Sequence, residues 1–298
     1  MKLLDGSGGS TKGIGILSAW TTLYNDYKYY PDIISGISVS AIFAVAFALG
    51  KFKEMESLFL NLTLKDIFSK SPVNEKGNIT ICALWRAFRG KALGEQRAVI
   101  KHLSDIVSQA EFEAYKRSAM YPDVVIMSVD LRNARRIFVN VKSLSYKDFL
   151  EHTLASGSIP GYTMPVTLDG VQYDGGVRDH SIAAYMMEKY PIKTAVSVFS
   201  RPKDLSALAP WEPKNLSVDV LMRTIDILNY EISKGDEHEQ QVIAERNSIE
   251  LHQLFLPKVL QSLYDLDHAR LRELHQAGKK MVHDYFTKSE LVSNESLA

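Results

Sequence analysis

Apolar residues along this chain fall into two kinds of run: short stretches suited to buried strands, and longer ones spaced for helices. Residues 2–4 (KLL) predict a strand that feeds a glycine-rich turn, and GIGILSAWTTLY after it has helical spacing, with Ile14, Leu17 and Trp20 on one side. A second unit follows at once. DII at 32–34 predicts a strand, and residues 40–49 are apolar all round, as a helix buried against a sheet must be. Residues 53–120 read as mostly helical. DVVIMSVDL and RRIFVNV are β-rich runs separated by RNA and predict a hairpin. SYKDFLEHTLAS predicts a helix with Ser145 as N-cap, stopped by GSIPG. PVTLDGVQYDGG predicts a hairpin whose Asp169-Gly170 pair favours a tight turn, and TAVSVFS a further strand. LSALAPWEPKN reads as a loop. From 218 to 285 the pattern is helical, interrupted by a strand at IELHQLFLP. This alternation predicts an α/β architecture with a partly parallel sheet between helical layers.

Composition narrows the picture. The 298 residues suit one large domain: a sheet core over about 1–52 and 121–200, a helical insertion at 53–120 and a helical C-terminal region at about 215–290. Basic and acidic residues total 35 each, with no long block of one sign, which argues against nucleic acid as a partner. The single cysteine, Cys82, excludes an internal disulfide and the paired-cysteine zinc patterns, and fits a reducing compartment. MKLLDG lacks a basic region followed by an apolar core, and the longest apolar run, AIFAVAFAL, is far below the roughly 20 residues of a bilayer span. The expectation is a cytoplasmic protein.

Three patches carry candidate chemistry. DGSGGSTKG (5–13) lies between a strand and a helix, where glycines let backbone N–H groups converge on a negative charge. That charge is a bound phosphate or the oxyanion of an acyl transfer, or the segment is a plain strand-to-helix turn. The Walker pattern ends in G-K-[ST], whereas Lys12 here lies between Thr11 and Gly13. GISVS (36–40) nearly spells the G-x-S-x-G nucleophile elbow, placed after an apolar strand and before a buried helix, with Ser40 in the last position. Otherwise Ser38 is a turn residue and Ser40 an N-cap. YDGGVRDH (173–180) sets Asp174 before two glycines, either a carboxylate on a close-approach loop or a common turn.

In this order the patches resemble one family, the patatin-like phospholipases, and the resemblance covers most of the chain. GGSTKG resembles the family's G-G-G-x-[KR]-G oxyanion loop, with Ser10 where a third glycine is usual. GISVS resembles its elbow. ASGSIPGYTMP from Ala155 resembles the A-S-x-[AS]-[IF]-P block before the aspartate strand, and DGG at 174–176 matches D-G-[GA]. The resemblance implies a three-layer α/β/α patatin-like fold and a lipid acyl hydrolase of phospholipase A type. Ser38 would be the nucleophile and Asp174 its base, with oxyanion donors at Gly8, Gly9 and Ser10. Lys12, Gly13, Gly36, Gly175 and Gly176 would support the loops. It implies no cofactor and no metal, and a lipid substrate met at a membrane surface. A homo-oligomer or an activating partner stays open.

Two other readings stand beside it: a soluble esterase or thioesterase with a histidine-assisted triad, for which His180 is the best-placed histidine, and a catalytically degenerate lipid- or anion-binding homologue. Asp267, His268 and His275 lack the i, i+4 histidine pair of helical zinc sites and read as a polar helix face, both histidines on solvated positions. For an acyl groove the helices at 53–120, with Trp85 and Phe88, and the loop holding Trp211 are the candidate walls. No stretch shows the marked basic and apolar faces of an interfacial helix.

Overall fold

The computed structural model describes residues 1–74, 79–204, 216–260 and 264–288. The strands are β1 (Lys2–Gly6), β2 (Ile33–Ile37), β3 (Asp123–Asp130), β4 (Arg135–Asn140), β5 (Val166–Leu168), β6 (Gly170–Asp174), β7 (Thr194–Phe199) and β8 (Glu250–Phe255). They form one sheet in the order β5-β6-β3-β2-β1-β7-β8, with β4 also on β3. The β3, β2, β1, β7, β8 section is parallel, and β4, β5 and β6 add antiparallel pairs. The two hairpins and the strand at 250–255 lie where the sequence pattern puts them.

Helices cover both faces. The central strands are buried on both sides, so neighbouring residues feed different cores. Leu4, Ile34, Val124 and Val196 pack with α1 (Gly13–Asn25), α2 (Val39–Ala48), α3 (Phe52–Leu60), α7 (Gln109–Arg117), α8 (Tyr146–Ser156) and α11 (His268–Lys288). Leu3, Ile33, Val125 and Ala195 pack with α9 (Ala183–Lys189) and α10 (Leu216–Asn247). The short α4 (Leu64–Ile67), α5 (Ile81–Phe88) and α6 (Ala98–Ile106) complete the helical run between β2 and β3. Among the described residues no helix is long and apolar enough to cross a membrane. The segment 205–215, with Trp211, lies outside the described residues.

One expectation for α11 fails. His275 is buried, 3.3 Å from Glu56, and its carbonyl accepts from Ser18 Oγ. It faces inward because α11 lies tightly on α1: a Cβ at Gly278 would stand 2.4 Å from the Gly15 oxygen. His268, in the first turn of α11, is exposed as expected.

The register around β3 positions the candidate site. β4 occupies one edge of β3, so β2 and β6 share the other. β2 ends with Ile37 opposite Met127, and β6 ends with Asp174 opposite Ser128. The residue after Ile37 is Ser38. Two segments far apart in sequence thus end side by side on consecutive residues of β3. The turn after β1 lies next to them, beside the strand where connections diverge toward β2 on one side and β7 on the other, the usual crevice position in an open α/β sheet.

Candidate active site

Ser38 occupies a sharp strand-to-helix turn with φ 56° and ψ −120°, a conformation that side chains avoid unless the surroundings impose it. Gly36 makes the turn possible, since a Cβ there would lie 2.8 Å from the Ser40 carbonyl carbon. Ser38 immediately precedes α2, whose positive end faces any negative charge developing beside it. Ser40, in the position of the elbow's last glycine, is fully buried and donates through Oγ to the Ser7 carbonyl at 2.6 Å. The hydroxyl therefore fastens α2 to the glycine-rich loop. Ser40→Ala leaves that buried carbonyl without its donor, and unfolding in denaturant is expected to show a loss of about 1–2 kcal/mol.

The Ser38 hydroxyl donates to Asp174 Oδ2 at 2.7 Å. Asp174 Oδ1 accepts from the Gly176 N–H at 2.7 Å, and the Asp174 N–H donates to the Ser158 carbonyl at 2.8 Å, which fixes the carboxyl from both ends. Both residues are nearly inaccessible, 9% and 5% exposed. Burial pushes the Asp174 carboxyl up to about 6, against the opposing hydrogen bonds from Ser38 and Gly176. Gly175 is wedged against β2 and β3: a Cβ there would meet the Met127 methyl at 2.7 Å and Ile37 at 2.9 Å.

The loop after β1 wraps over the pair. A Cβ on Gly8 would lie 3.4 Å from Ser38 Cβ. Gly9 presses on Ser200, whose Oγ donates to the Gly8 carbonyl, and Gly13 presses on Val39, the first residue of α2. Ser10 keeps a glycine-like backbone at φ 50°, at a cost on the order of 1–2 kcal/mol for an L residue. Gly8 departs from the expectation, because its N–H donates to the His180 carbonyl at 3.1 Å and is spent on holding the loop. Among the described residues no hydrogen bond engages the N–H of Gly9 or Ser10. Lys12 follows in the short 3-10 helix Ser10–Lys12, and its charge is felt at the His180 ring.

A model of the patatin-like phospholipase family matches residues 7–187, the span from this loop to α9. The chain belongs to the patatin-like phospholipase family. No curated protein matches the chain. Among solved structures it is similar to VipD from Legionella pneumophila, at 11% identity and TM-score 0.48, over 95% of this chain and 66% of that one. It is also similar to the type III effector protein ExoU, at 14% identity and TM-score 0.46, over 97% of this chain and 53% of that one. The chain thus spans less than two thirds of the length of either.

In this patatin-like chain the ASGSIP block supports the pair. Ser156 Oγ accepts the Ser38 N–H at 2.9 Å and donates to the Met127 carbonyl at 2.6 Å, so it bridges elbow and sheet. Ser158 holds Asp174 through its carbonyl, and its own hydroxyl accepts from Gln96 Nε2 at 3.0 Å. Ser200 and Gln96 lie in no motif, and Ser7 lies in the glycine-rich patch without a role assigned to it there; only packing shows what the three do. Asp5, at the end of β1, accepts from Ser35 and Ser181 hydroxyls and is pushed up to about 6 by burial, yet it makes no bond to Ser38.

His180 is close to the pair but not between its members. Its Nδ1 would lie 3.9 Å from a Cβ on Gly8 and its Nε2 4.0 Å from one on Gly176, and Nε2 is buried without a hydrogen-bond partner. Burial drives its basicity down to about 4, helped by the charges of Lys12 and Arg201. A mostly apolar cleft opens at Ser38, Ser10 and Val39. Its walls include Ile42 of α2, Met55 and Phe59 of α3, and Leu103 of α6. The helical run from 53 to 120 does supply walls. Trp85 and Phe88 are not among them; both are turned to solvent, 55% and 89% exposed.

Proposed function

We propose that this chain is a lipid acyl hydrolase in which Ser38 and Asp174 work as a two-residue machine on carboxylic esters. The observation that carries the reading is the 2.7 Å hydrogen bond from Ser38 Oγ to Asp174 Oδ2 at the floor of an apolar cleft. Ser38 Oγ attacks the ester carbonyl while its proton passes to Asp174, and the carbonyl oxygen becomes an oxyanion. The N–H groups of Gly9 and Ser10 stabilise that oxyanion, each well-placed donor being worth roughly a hundredfold or more in rate. Collapse breaks the bond to the alcohol, which leaves with the proton from Asp174. Water then attacks the acyl-Ser38 ester, gives a proton to Asp174 and releases the fatty acid, and that proton returns to Ser38. The cleft accommodates the acyl chain. A histidine-assisted triad is disfavoured, because the Ser38 hydroxyl is already bonded to a carboxylate and the nearby imidazole is a weak base.

The test is product analysis. Mixed micelles of phosphatidylcholine or phosphatidylglycerol incubated with the protein are expected to yield free fatty acid and lysophospholipid by mass spectrometry, and no release from any ester offered would defeat the reading. Ile42 sits at the cleft wall against Gly157. Ile42→Trp, which fills that space, is expected to lower kcat/KM for long-chain esters by about tenfold or more while short-chain esters are turned over nearly as before.

A further inference from the structure

Helix α5 is laid on the molecule with its apolar face outward. Ile81, Leu84, Trp85 and Phe88 recur at the i, i+3, i+4, i+7 spacing of one helix face, and they are 85%, 56%, 55% and 89% exposed. The inner face is held by a cation. Arg86 donates back under the helix to the carbonyls of Ala92 at 3.2 Å and Gly94 at 3.4 Å, and pairs with Glu95 at 3.2 Å. Thr80 caps the helix by accepting the Ala83 N–H. These charge-assisted bonds fix the orientation that leaves the apolar stripe in water.

The surroundings of the stripe are basic. Lys70, Arg89 and Lys91 lie around it, with the Arg89 guanidinium stacked 3.4 Å over Trp85. Glu95 is the one acid lining this surface among the described residues, and it is already paired with Lys70 and Arg86. A second copy docked by the same patch would bring like charges together. An aromatic and aliphatic stripe with cations at its rim instead matches the headgroup and acyl boundary of an anionic bilayer. The patch is also tied to the cleft. Leu93 and Gly94 donate to the carbonyls of Gly161 and Tyr162, and the next residue but one, Gln96, lines the cleft.

We infer that α5 docks this chain on anionic phospholipid bilayers, Ile81, Trp85 and Phe88 entering the interface while Arg89 and Lys91 meet lipid phosphates. The hydrolase reading supplies the purpose of docking, whereas docking itself does not depend on it. Docking would hold the cleft, joined to α5 through residues 93–96, close to its substrate.

The test uses the full chain carrying Ser38→Ala, so that no lipid is consumed. Flotation with vesicles of phosphatidylcholine and phosphatidylglycerol is compared with phosphatidylcholine alone. The parent is expected to bind the anionic vesicles, and less as salt rises. Ile81→Ser with Phe88→Ser is expected to weaken binding by about tenfold or more, and Arg89→Gln with Lys91→Gln to remove the preference for anionic lipid. Unchanged thermal melting, and unchanged hydrolysis of a soluble short-chain ester when Ser38 is intact, show that neither pair disturbs the fold or the cleft. Equal binding by parent and double-serine variant, or no binding by the parent, would overturn the inference. So would a parent dimer dissociated by the same serine substitutions, which would assign the stripe to a second copy. Vesicle binding by the Ser38→Ala chain, together with no ester hydrolysis by the chain with Ser38 intact, would leave docking standing and remove the hydrolase reading.

Discussion

Ser38→Ala is expected to lower kcat for ester hydrolysis by about ten-thousandfold or more, with KM changed little. The magnitude follows from what the side chain does: no other hydroxyl donates to Asp174 Oδ2 among the described residues, so nothing can take over the attack. The variant should fold normally. Alanine fits wherever serine does, and Asp174, deprived of the hydroxyl that lowers its pKa, becomes still harder to ionise and avoids a buried unpaired charge. In the proposed mechanism, residual turnover is then that of the oxyanion loop and binding alone. A stopped assay on a soluble ester, with circular dichroism as the folding control, measures the drop.

The second large effect is expected at Asp174. Asn has the same shape but cannot take a proton, so Asp174→Asn should cost about a hundredfold to ten-thousandfold in kcat. The wild-type pH profile belongs to the same account. The proposed mechanism requires Asp174 as the carboxylate, and burial lifts its pKa to about 6. Activity should therefore fall as pH drops through about 6 and level off above it, a higher acidic limb than an ordinary aspartate would give. In Asp174→Asn the residual activity should lose that limb. If the limb survives in the asparagine variant, it belongs to another group. Asp5, with a similar lift, would then be the candidate.

Legibility in the sequence followed the length scale of each feature. The strands at 2–6, 33–37 and 194–199 announce themselves because both faces are buried, so apolar residues stand next to one another instead of alternating with exposed polar ones. Ser38 and Asp174 were readable as candidates because their glycine neighbours leave local signatures. That they meet depends on the register of Ile37 and Asp174 on Met127 and Ser128, a long-range fact that no local string encodes. The same holds for Gly8, whose N–H was legible as a donor but whose acceptor, the His180 carbonyl, comes from a distant segment. Ser10 and Ser40 looked like departures from glycine. One keeps the glycine-like dihedral, and the other turns its extra hydroxyl into a tie to Ser7. The periodicity of Ile81, Leu84, Trp85 and Phe88 gives an apolar face but not its direction. Only Arg86, folded beneath the helix, decides that the face points outward. His275 shows the reverse case: a polar position is drawn inward by the close contact of Gly278 with Gly15.

The most direct test of the central claim is covalent labelling with an alkyl fluorophosphonate, read by intact mass on wild type, Ser38→Ala, Ser40→Ala and Asp174→Asn. A nucleophilic Ser38 activated by Asp174 predicts one adduct on wild type and on Ser40→Ala, a much slower adduct on Asp174→Asn and none on Ser38→Ala. An adduct that persists in Ser38→Ala, or no adduct on the wild type even with lipid vesicles present, would contradict it.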